Sequence, residues 1–491
     1  MADRLSAGTL ARICDGVAHP GYTPSAHGIG IVHLGLGAFH RAHQAVYTDT
    51  ALAAAGGDWR ILGVSMRSTE TAQDLAEQDG LYTVLERGAE GIRPRIIGSL
   101  AAARALRTDR AQILRQLSAP DTRIISLTVT EKAYGQDPQT GGLDLTHPEI
   151  AQDLKTPDTP QSVPGLLVQC LRHKQESGAG SVTLLSCDNL PENGQVLRRV
   201  VQDFAAQVAP DLSGWIEDHV RFPATMVDRI TPQTTQADRD EAARLTGLAD
   251  ATPVQCEPFS QWVLEDDFPH GRPAWEHAGA IFAPDVTPYE HMKLRMLNGS
   301  HSLLAYAGHV AGLETISACL GSPLLKACLT RHLVAVAAGL APLPGMDYAA
   351  YGRALISRFE NPSIAHSTYQ IAMDGSQKMP QRIFAPAEDA RISRAPRDTY
   401  AFATAAWLRY LMGRTEDGAE YALRDPRETE IAEGLRGARE AKDVIAGLRS
   451  VPGLLPEPLF ADRDWLAAVE TALADILRDG ALRTAERLAQ A

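Results

Sequence analysis

A short apolar run that ends in a glycine turn most constrains what this chain can fold into. The run from Ile31 to Leu36 is mostly apolar and partly β-branched, which predicts a strand. The run contains the turn sequence Gly35-Leu-Gly37, and the stretch from His40 to Ala54 has the periodicity and alanine content of a helix. The chain therefore opens with a strand, a glycine turn and a helix.

The same alternation continues through the first half of the chain. Further short apolar runs are predicted as strands at Trp59 to Met66, Arg95 to Leu100, Arg123 to Val129 and Ser181 to Ser186. Helical stretches such as Thr108 to Leu117 and Pro164 to Glu176 separate several of them. Strands that alternate with helices predict an α/β fold, with a mostly parallel sheet covered by helices.

The second half has a different pattern. Beyond residue 285 the strand signal fades, and long segments rich in alanine and leucine are predicted as helices at Tyr289 to His309, Leu324 to Ala338, Asp398 to Met412, Arg427 to Leu448 and Asp464 to Gln490. A chain of 491 residues is too long for one hydrophobic core, so two large domains, or three, are expected. We place an α/β domain at 1–284 and a mainly α-helical domain at 285–491.

Composition argues against several classes of protein. No run of about 18 apolar residues is present, so a membrane span is not expected. The N-terminal residues are charged and lack the apolar core of a secretory signal, which predicts a cytoplasmic protein. The six cysteines have no metal-knuckle spacing and are expected to be reduced thiols. A net charge of −13 gives no attraction to nucleic acid.

The glycine turn is a candidate nucleotide site. Glycines at a strand-to-helix junction let the backbone approach a pyrophosphate, and the following helix N-terminus supplies amide donors. The third glycine of the dinucleotide motif is missing, since position 40 is histidine, and any tight turn of this kind can use two glycines. Phe39 and Arg41 stand in the same turn and are candidate cofactor-binding residues.

The second predicted strand leads into residues that bear on the cofactor. Glu70 is placed to accept the ribose hydroxyl protons and to repel a 2′-phosphate, which favours NAD over its phosphorylated form. Arg67 argues the other way, and Glu70 can also be a solvated turn residue.

The candidate for chemistry is the run Lys293-Leu-Arg-Met-Leu-Asn298-Gly-Ser-His301. If a helix begins at Tyr289, with about 100° per residue, Asn298 and His301 are neighbours and Lys293 lies within about 80° of His301. Alcohol oxidation needs a base for the hydroxyl proton and donors for the oxygen. A helix with these three residue types is also common on protein surfaces, so spacing alone leaves both interpretations open.

One alternative at this run is excluded. Tyr289 and Lys293 have the tyrosine–lysine spacing of short-chain dehydrogenases. The glycine-rich turn of that family is absent, and the pair lies far beyond the length of its single domain.

Several motifs, in order, resemble those of the mannitol dehydrogenase family of long-chain polyol dehydrogenases, along nearly the whole chain. They are Ile31-Val-His-Leu-Gly-Leu-Gly-Ala-Phe-His-Arg-Ala-His-Gln, Ser126-Leu-Thr-Val-Thr-Glu-Lys, Ser186-Cys-Asp-Asn-Leu-Pro-Glu-Asn-Gly, Met226-Val-Asp-Arg-Ile-Thr-Pro, the Lys293 to His301 run and Met373-Asp-Gly-Ser-Gln-Lys. The resemblance implies an N-terminal Rossmann-type doubly wound sheet, a helical C-terminal domain, NAD, no metal, and chemistry in the cleft between the domains.

The resemblance also implies roles for individual residues. Lys293 matches the general base, Asn189 and Asn298 match the amides that hold the substrate oxygen, and His301 matches the residue that positions the hydroxyl. The positions that match or stand near the substrate site are Asp228, Lys378, Arg382, Glu290 and Glu131, with proton transit a role for the two glutamates. Gly35, Gly37 and Glu70 match cofactor-binding positions.

Two departures from the patterns of the family bear on the substrate, one from the mannitol-oxidising type and one from the fructuronate reductase branch. Gln370 stands where that type has an arginine, and the phrase from Tyr369 to Arg382 resembles the fructuronate reductase (D-mannonate oxidoreductase) branch. That branch has arginines near a histidine where this chain has Ala365-His366-Ser367. Reduction of fructuronate is the leading hypothesis, and mannitol 2-dehydrogenase or an arabinitol or sorbitol dehydrogenase is the alternative. A non-catalytic NAD- or sugar-binding protein is a remote one, and a monomer or small homo-oligomer is expected.

Overall fold

The computed structural model describes residues 3–137, 140–363 and 366–490. Ala365, which bears on the substrate branch, lies outside the described residues. The chain divides into two compact units, Met1–Thr287 and Pro288–Ala491.

Within the described residues, the first unit contains twelve strands and nine complete α-helices. The strands are β1 Ile29–Leu34, β2 Arg60–Ser65, β3 Tyr82–Gly88, β4 Gly91–Ile97, β5 Leu100–Ala105, β6 Ile124–Leu127, β7 Val182–Ser186, β8 Val220–Arg221, β9 Thr225–Asp228, β10 Val254–Cys256, β11 Gln261–Glu265 and β12 Ile281–Ala283. The helices are α1 Ala38–Ala42, α2 Gln44–Ala55, α3 Glu70–Glu77, α4 Leu106–Ser118, α5 Pro148–Asp153, α6 Val163–Ser177, α7 Asn193–Val208, α8 Leu212–His219 and α9 Gln236–Thr246.

Six of these strands form one parallel sheet in the order β5-β2-β1-β6-β7-β8. Alternate residues of each central strand enter two different hydrophobic clusters, as Ile31 and Val32 of β1 do, so both faces of the sheet are covered. Strands buried on both faces read as continuous apolar runs, which is why the sequence reveals them. Counted along the chain, the order is that of a Rossmann-type doubly wound sheet, and this prediction is confirmed.

Two smaller sheets accompany the large one, in the orders β10-β3-β4 and β12-β11-β9. The predicted strand at Arg95 to Leu100 was wrong as a single element. Its first residues end β4, which is antiparallel to β3, and Leu100 begins β5 of the parallel sheet.

The second unit is built from helices. They are α10 Thr287–Met292, which begins at the unit boundary, α11 Gly299–Val310, α12 Ile316–Gly321, α13 Pro323–Ala338, α14 Tyr348–Glu360, α15 Thr368–Ala372, α16 Gly375–Met379, α17 Ala385–Ser393, α18 Asp398–Tyr410, α19 Glu428–Gly434, α20 Ala441–Arg449, α21 Glu457–Phe460, α22 Arg463–Asp479 and α23 Ala481–Gln490. α11 and α18 are almost entirely buried and contact each other. The mainly helical second half is confirmed.

Some chemistry can be placed on the fold at once. All six cysteines are free thiols, as the sequence predicts. Across the described ranges, no helix is long and apolar enough to cross a bilayer. Within the same residues, no group of three or more histidine, cysteine, aspartate or glutamate side chains is arranged to hold a metal ion.

Candidate functional site

The turn after β1 requires glycine at its first position. Gly35 has φ +102°, and a Cβ there would stand 2.0 Å from the carbonyl oxygen of Thr128. The next strand of the sheet, β6, ends directly before Thr128, so the two chains nearly touch where their strands end. Gly37 precedes the first residue of α1 and donates its N–H to the Gly35 carbonyl at 2.6 Å. The turn therefore brings bare backbone to the carboxyl edge of the sheet.

A cavity of about 650 Å³ opens at this edge. Its lining comes from the segments that follow β1, β2, β5 and β6, together with residues near α5 and α6: Gly35, Leu36, Gly37, Ser65, Met66, Arg67, Ser68, Thr71, Leu106, Arg107, Thr128, Val129, Thr130, Ala133, Glu149, Gln161 and Val163. Strand order reverses between β1 and β6, and doubly wound sheets bind ligands at such a reversal, outside the carboxyl ends of the strands.

Three of the six predicted cofactor residues line this cavity, namely Gly35, Gly37 and Arg67. Glu70 does not line it and begins α3 as an exposed residue. Sequence reasoning missed Arg107, an exposed cation that follows β5. Its position after the carboxyl end of the third parallel strand could have identified it, but that strand was predicted at Arg95 to Leu100 and lies at Leu100–Ala105.

Phe39 and Arg41 have other contacts. Phe39 is half-buried and its ring stacks on His43, with ring centroids 5.0 Å apart. Arg41 is buried, and its guanidinium donates to the carbonyl oxygens of Thr252 and Gly37. Arg41 thus connects α1 to the loop that contains Thr252. Neither Phe39 nor Arg41 lines the cavity.

Three further predicted residues lie in the first unit, on segments that hydrogen bonds connect. Glu131 begins a 3₁₀ turn after β6, Asn189 follows β7, and Asp228 is the buried last residue of β9. The Asp188 carboxylate accepts the N–H of Thr130, the residue before Glu131, at 2.9 Å.

A buried asparagine, Asn193, connects the segment that carries Asp228 to the segment that carries Asn189. The side-chain amide of Asn193 donates to the carbonyl oxygens of Asp188, at 3.1 Å, and Thr225, at 2.9 Å. β9 begins at Thr225, so the segments that carry Asn189 and Asp228 are held in register.

In the second unit, Lys293, Asn298 and His301 are all buried, with 8%, 9% and 6% of their surface exposed. The expected continuous α-helix is wrong here: Lys293–Asn298 is π-helical, between α10 and α11. A π-helical turn holds more residues than an α-helical one, so the angle inferred between Lys293 and His301 does not apply. Such turns are frequent at functional sites.

Three polar atoms of this run have no hydrogen-bond partner among the described residues. They are Nδ2 of Asn298, Oγ of Ser300 and Nε2 of His301. Buried polar atoms are satisfied in the great majority of cases, and one left unsatisfied costs about 1–3 kcal/mol. The Asn298 and His301 atoms, three residues apart, could both form hydrogen bonds with a polar ligand: the amide as donor, and the histidine nitrogen as donor or acceptor.

The His301 ring lies 4.4 Å from the ring of Phe359 and 5.0 Å from that of His366, centroid to centroid. Burial holds the pKa of His301 well below its usual value, and His366, Arg358 and Arg382 lower it further. Burial also lowers the pKa of His366 to about 4. Both imidazoles are therefore neutral at neutral pH, in positively charged surroundings.

Arg382 stands on a second π-helical segment, Pro380–Phe384, which contacts the first. Its guanidinium is half-buried, with Nη1 3.3 Å from the hydroxyl oxygen of Ser302, the residue after His301. Glu290, another predicted residue, is buried on α10.

Lys378 contacts its own loop. Its ammonium donates to the carbonyl oxygens of Met373, at 2.6 Å, and Ile371, at 3.3 Å, and lies 4.0 Å from the Asp374 carboxylate. Asp425 holds the same loop by accepting the N–H and hydroxyl of Ser376. These contacts fix Lys378 on α16, directly before the π-helical segment that carries Arg382.

Comparison with known proteins covers both units. The mannitol dehydrogenase Rossmann domain matches residues 29–277, and the mannitol dehydrogenase C-terminal domain matches residues 285–462. The D-mannonate oxidoreductase of Escherichia coli is 42% identical over 470 residues, which span 95% of this chain and 96% of that one. The mannitol 2-dehydrogenase of Cereibacter sphaeroides is 39% identical over 470 residues, with 95% and 97% covered.

A solved structure agrees with these matches. The mannitol 2-dehydrogenase of Pseudomonas fluorescens, in a ternary complex with NAD and D-mannitol, is 37% identical, covers 99% of both chains and superposes with a TM-score of 0.86. Two family models that together span most of the chain, and relatives alike over nearly their full length, confirm the resemblance found in the sequence. The chain belongs to the mannitol dehydrogenase family of oxidoreductases.

Proposed function

We propose that this protein is an NAD-dependent dehydrogenase that interconverts a ketone and a secondary alcohol on an open-chain hexonate, as a fructuronate reductase (D-mannonate oxidoreductase). The observation that carries the proposal is the buried set of Lys293, Asn298 and His301 on one helical run, in which one polar atom of Asn298 and one of His301 lack a partner among the described residues. This set contains the base and the hydrogen-bonding groups that alcohol oxidation needs.

The first unit supports the cofactor assignment. The Gly35 turn leaves the room that a side chain would fill, and the adjacent cavity is at the strand reversal where doubly wound folds bind dinucleotides. Gly35, Gly37 and the walls after β2 and β6 would hold the cofactor. NAD, when bound, accepts or supplies the hydride at its nicotinamide ring. Residues 1–284 are thus assigned to cofactor binding, and residues 285–491 are assigned the general base and most of the substrate-binding groups.

The side chains of the second unit handle the proton and the oxygen. During oxidation, Lys293 accepts the hydroxyl proton as general base, and the Asn298 amide donates a hydrogen bond to the oxygen as negative charge develops on it. A neutral His301 offers one donor and one acceptor nitrogen, which suits a hydroxyl group. In the reductive direction, Lys293 returns the proton to the alkoxide oxygen.

Residues of the first unit complete the proposed set. We assign to Asn189 the second amide for the substrate oxygen and to Asp228 a hydrogen bond to a substrate hydroxyl. Glu131 and Glu290 are assigned to proton transit, and Lys378 to substrate binding.

The charges near His301 support a sugar acid over a neutral polyol. Arg358 and Arg382 both lie near enough to lower the pKa of His301. A guanidinium binds a carboxylate through two parallel hydrogen bonds, so this neighbourhood favours an anionic substrate. Gln370 is neutral and exposed at the position where the resemblance implies an arginine in the mannitol-oxidising type. A second candidate, mannitol 2-dehydrogenase, is favoured by the match to a structure that contains D-mannitol.

Steady-state assays separate these candidates. NADH oxidation is measured with fructuronate, fructose and tagaturonate under identical conditions, and again with NADPH in place of NADH. We expect the highest kcat/KM with fructuronate and NADH. A preference for fructose would favour mannitol 2-dehydrogenase. NADH binding without turnover of any of these substrates would favour the non-catalytic alternative.

A further inference from the structure

The wall of the nucleotide cavity after β6 has strained backbone. Thr130, which lines the cavity, has φ +72° and ψ 155°. This region is essentially restricted to glycine, and a β-branched residue there persists only where its surroundings impose it. Something in the fold must therefore hold Thr130.

The Asp188 carboxylate is the group that holds it. One oxygen accepts the N–H of Thr130 at 2.9 Å, and the other accepts the N–H of Val129 at 3.0 Å and the hydroxyl of Tyr134 at 2.8 Å. Asp188 is 8% exposed. Burial raises the pKa of Asp188, and the amides of Val129 and Thr130 act against that rise. Three donors directed at one carboxylate are satisfied by its ionised form.

The three donors lie along the segment from Val129 to Tyr134, part of which borders the cavity. Val129 and Thr130 are its wall, and Tyr134, fully buried, ends the 3₁₀ turn that begins at Glu131. The Tyr134 hydroxyl also lies 2.6 Å from the hydroxyl oxygen of Ser186, the last residue of β7. Both ends of the segment are thereby attached to the end of the neighbouring strand.

Asp188 is itself fixed. Its carbonyl oxygen accepts the side-chain amide of Asn193, whose own carbonyl oxygen accepts the N–H of Thr225 at 3.0 Å. The carboxylate therefore ties the strained backbone at Val129 and Thr130 to the ends of β7 and β9.

We propose that Asp188 is a positioning residue for the cofactor: its ionised carboxylate holds Val129 and Thr130 in the conformation that makes the cavity wall. The inference rests on the proposed function of this cavity as the NAD site. Asp188 acts through the backbone it holds, without lining the cavity itself.

Asp250 provides a matched control in the same unit. It is a buried aspartate that also accepts two backbone amides, of Thr83 at 2.6 Å and Thr252 at 2.8 Å, and one side-chain donor, Gln78. It does not line the cavity. Asp188→Asn and Asp250→Asn therefore remove the same kind of acceptor, one beside the cavity and one away from it.

The test measures NADH affinity by titration of the purified full-length variants, together with their melting temperatures. Asp188→Asn should raise the Kd for NADH about tenfold or more, because an amide nitrogen then faces a backbone N–H. Asp250→Asn should lower the melting temperature and leave the Kd unchanged. Adding Thr130→Gly to Asp188→Asn should recover most of the affinity, since glycine adopts this backbone conformation without being held.

Each contrary result overturns the inference. These results are a wild-type Kd in Asp188→Asn, an equal loss of affinity in Asp250→Asn, or no recovery on adding Thr130→Gly. If Asp188→Asn does not fold, Tyr134→Phe removes one of the three donors and should raise the Kd about threefold, and an unchanged Kd then contradicts the inference. Wild-type protein that binds no NADH would refute the proposed cofactor as well, whereas unaffected variants of an NADH-binding protein refute the positioning role alone.

Discussion

Gly299 lies against the backbone of Arg382, such that a Cβ at position 299 would stand 3.0 Å from the Arg382 carbonyl oxygen. The two residues belong to the two helical runs that carry the candidate substrate groups, each containing a π-helical segment. Their close approach fixes how near the backbone that leads to His301 lies to the backbone of Arg382.

Gly299→Ala should separate these runs by a few tenths of an ångström. We expect kcat/KM with fructuronate to fall about tenfold, because small displacements of positioned groups are costly to catalysis. Steady-state kinetics check this, with Gly321→Ala as the control, since a Cβ at position 321 meets nothing within 4 Å. Equal kinetics in both variants would contradict it.

Lys293→Ala should lower kcat about a thousandfold, as removal of a general base does. NADH affinity should be unchanged, because the proposed cofactor residues lie in the first unit. Single-turnover measurement of NADH oxidation, with NADH titration alongside, checks both points. Lys326→Ala is the control, since Lys326 is exposed and pairs with Glu360. Near-normal turnover in Lys293→Ala would refute the assignment of the base.

Arg382→Gln tests the charge of the substrate. Loss of a charge-assisted hydrogen bond should lower kcat/KM for fructuronate about a hundredfold. Activity with fructose, which has no carboxylate, should change far less. Arg391→Gln serves as the control because Arg391 is an exposed residue that pairs with Glu388. Equal losses with both substrates would indicate that Arg382 does not bind a carboxylate.

Gly35→Ala should abolish NADH binding and lower the melting temperature, because the new methyl group overlaps the Thr128 carbonyl. Gly91→Ala separates this overlap from backbone strain. Gly91 has φ +122° with nothing within 4 Å of the added Cβ, so that variant should lose only the conformational cost of about 1–2 kcal/mol. Retained NADH binding in Gly35→Ala would place the cofactor elsewhere.

His332 predicts a pH dependence of stability. Burial lowers its pKa from 6.5 to about 4, so on acidification the unfolded chain takes up this proton first. Its contribution to stability is therefore present above pH 6.5 and falls by about 1.4 kcal/mol per pH unit between 6.5 and 4. His332→Gln should remove that part of the slope in urea unfolding measured across this range. An unchanged slope would mean that His332 does not titrate as a buried neutral group.

The central strands could be predicted well because a short stretch of sequence is enough to show that a strand is buried. β1, β2, β6 and β7 are buried on both faces, so each appears as a mostly apolar run with only one or two polar residues. The runs at Asp464 to Gln490 and Arg427 to Leu448 were each predicted as one helix, and each is two. Gly480, with φ +88°, ends the first of the two helices in the C-terminal run.

The candidate site was less accessible to sequence reasoning. The motifs identified the candidate residues. Several of them are buried, such as Lys293 and His301, and others line the cavity, such as Gly35. The partners of Asp188 are up to 59 residues away in the chain, so no spacing pattern reveals them. The π-helical turn at Lys293–Asn298 could not be predicted either. The apolar pattern of so short a run does not distinguish a π-helical turn from an α-helical one.

Because of that π-helical turn, the direction of Lys293 relative to His301 depends on the number of residues between them. A π-helical turn accommodates more residues than an α-helical one, so deleting one residue within 293–298 would allow ordinary α-helical bonding and change the angle between Lys293 and His301 about the helix axis. Substitutions that keep the length cannot produce this change. A chain with every candidate side chain in place, but one residue shorter here, would present His301 and Asn298 in a different direction from Lys293.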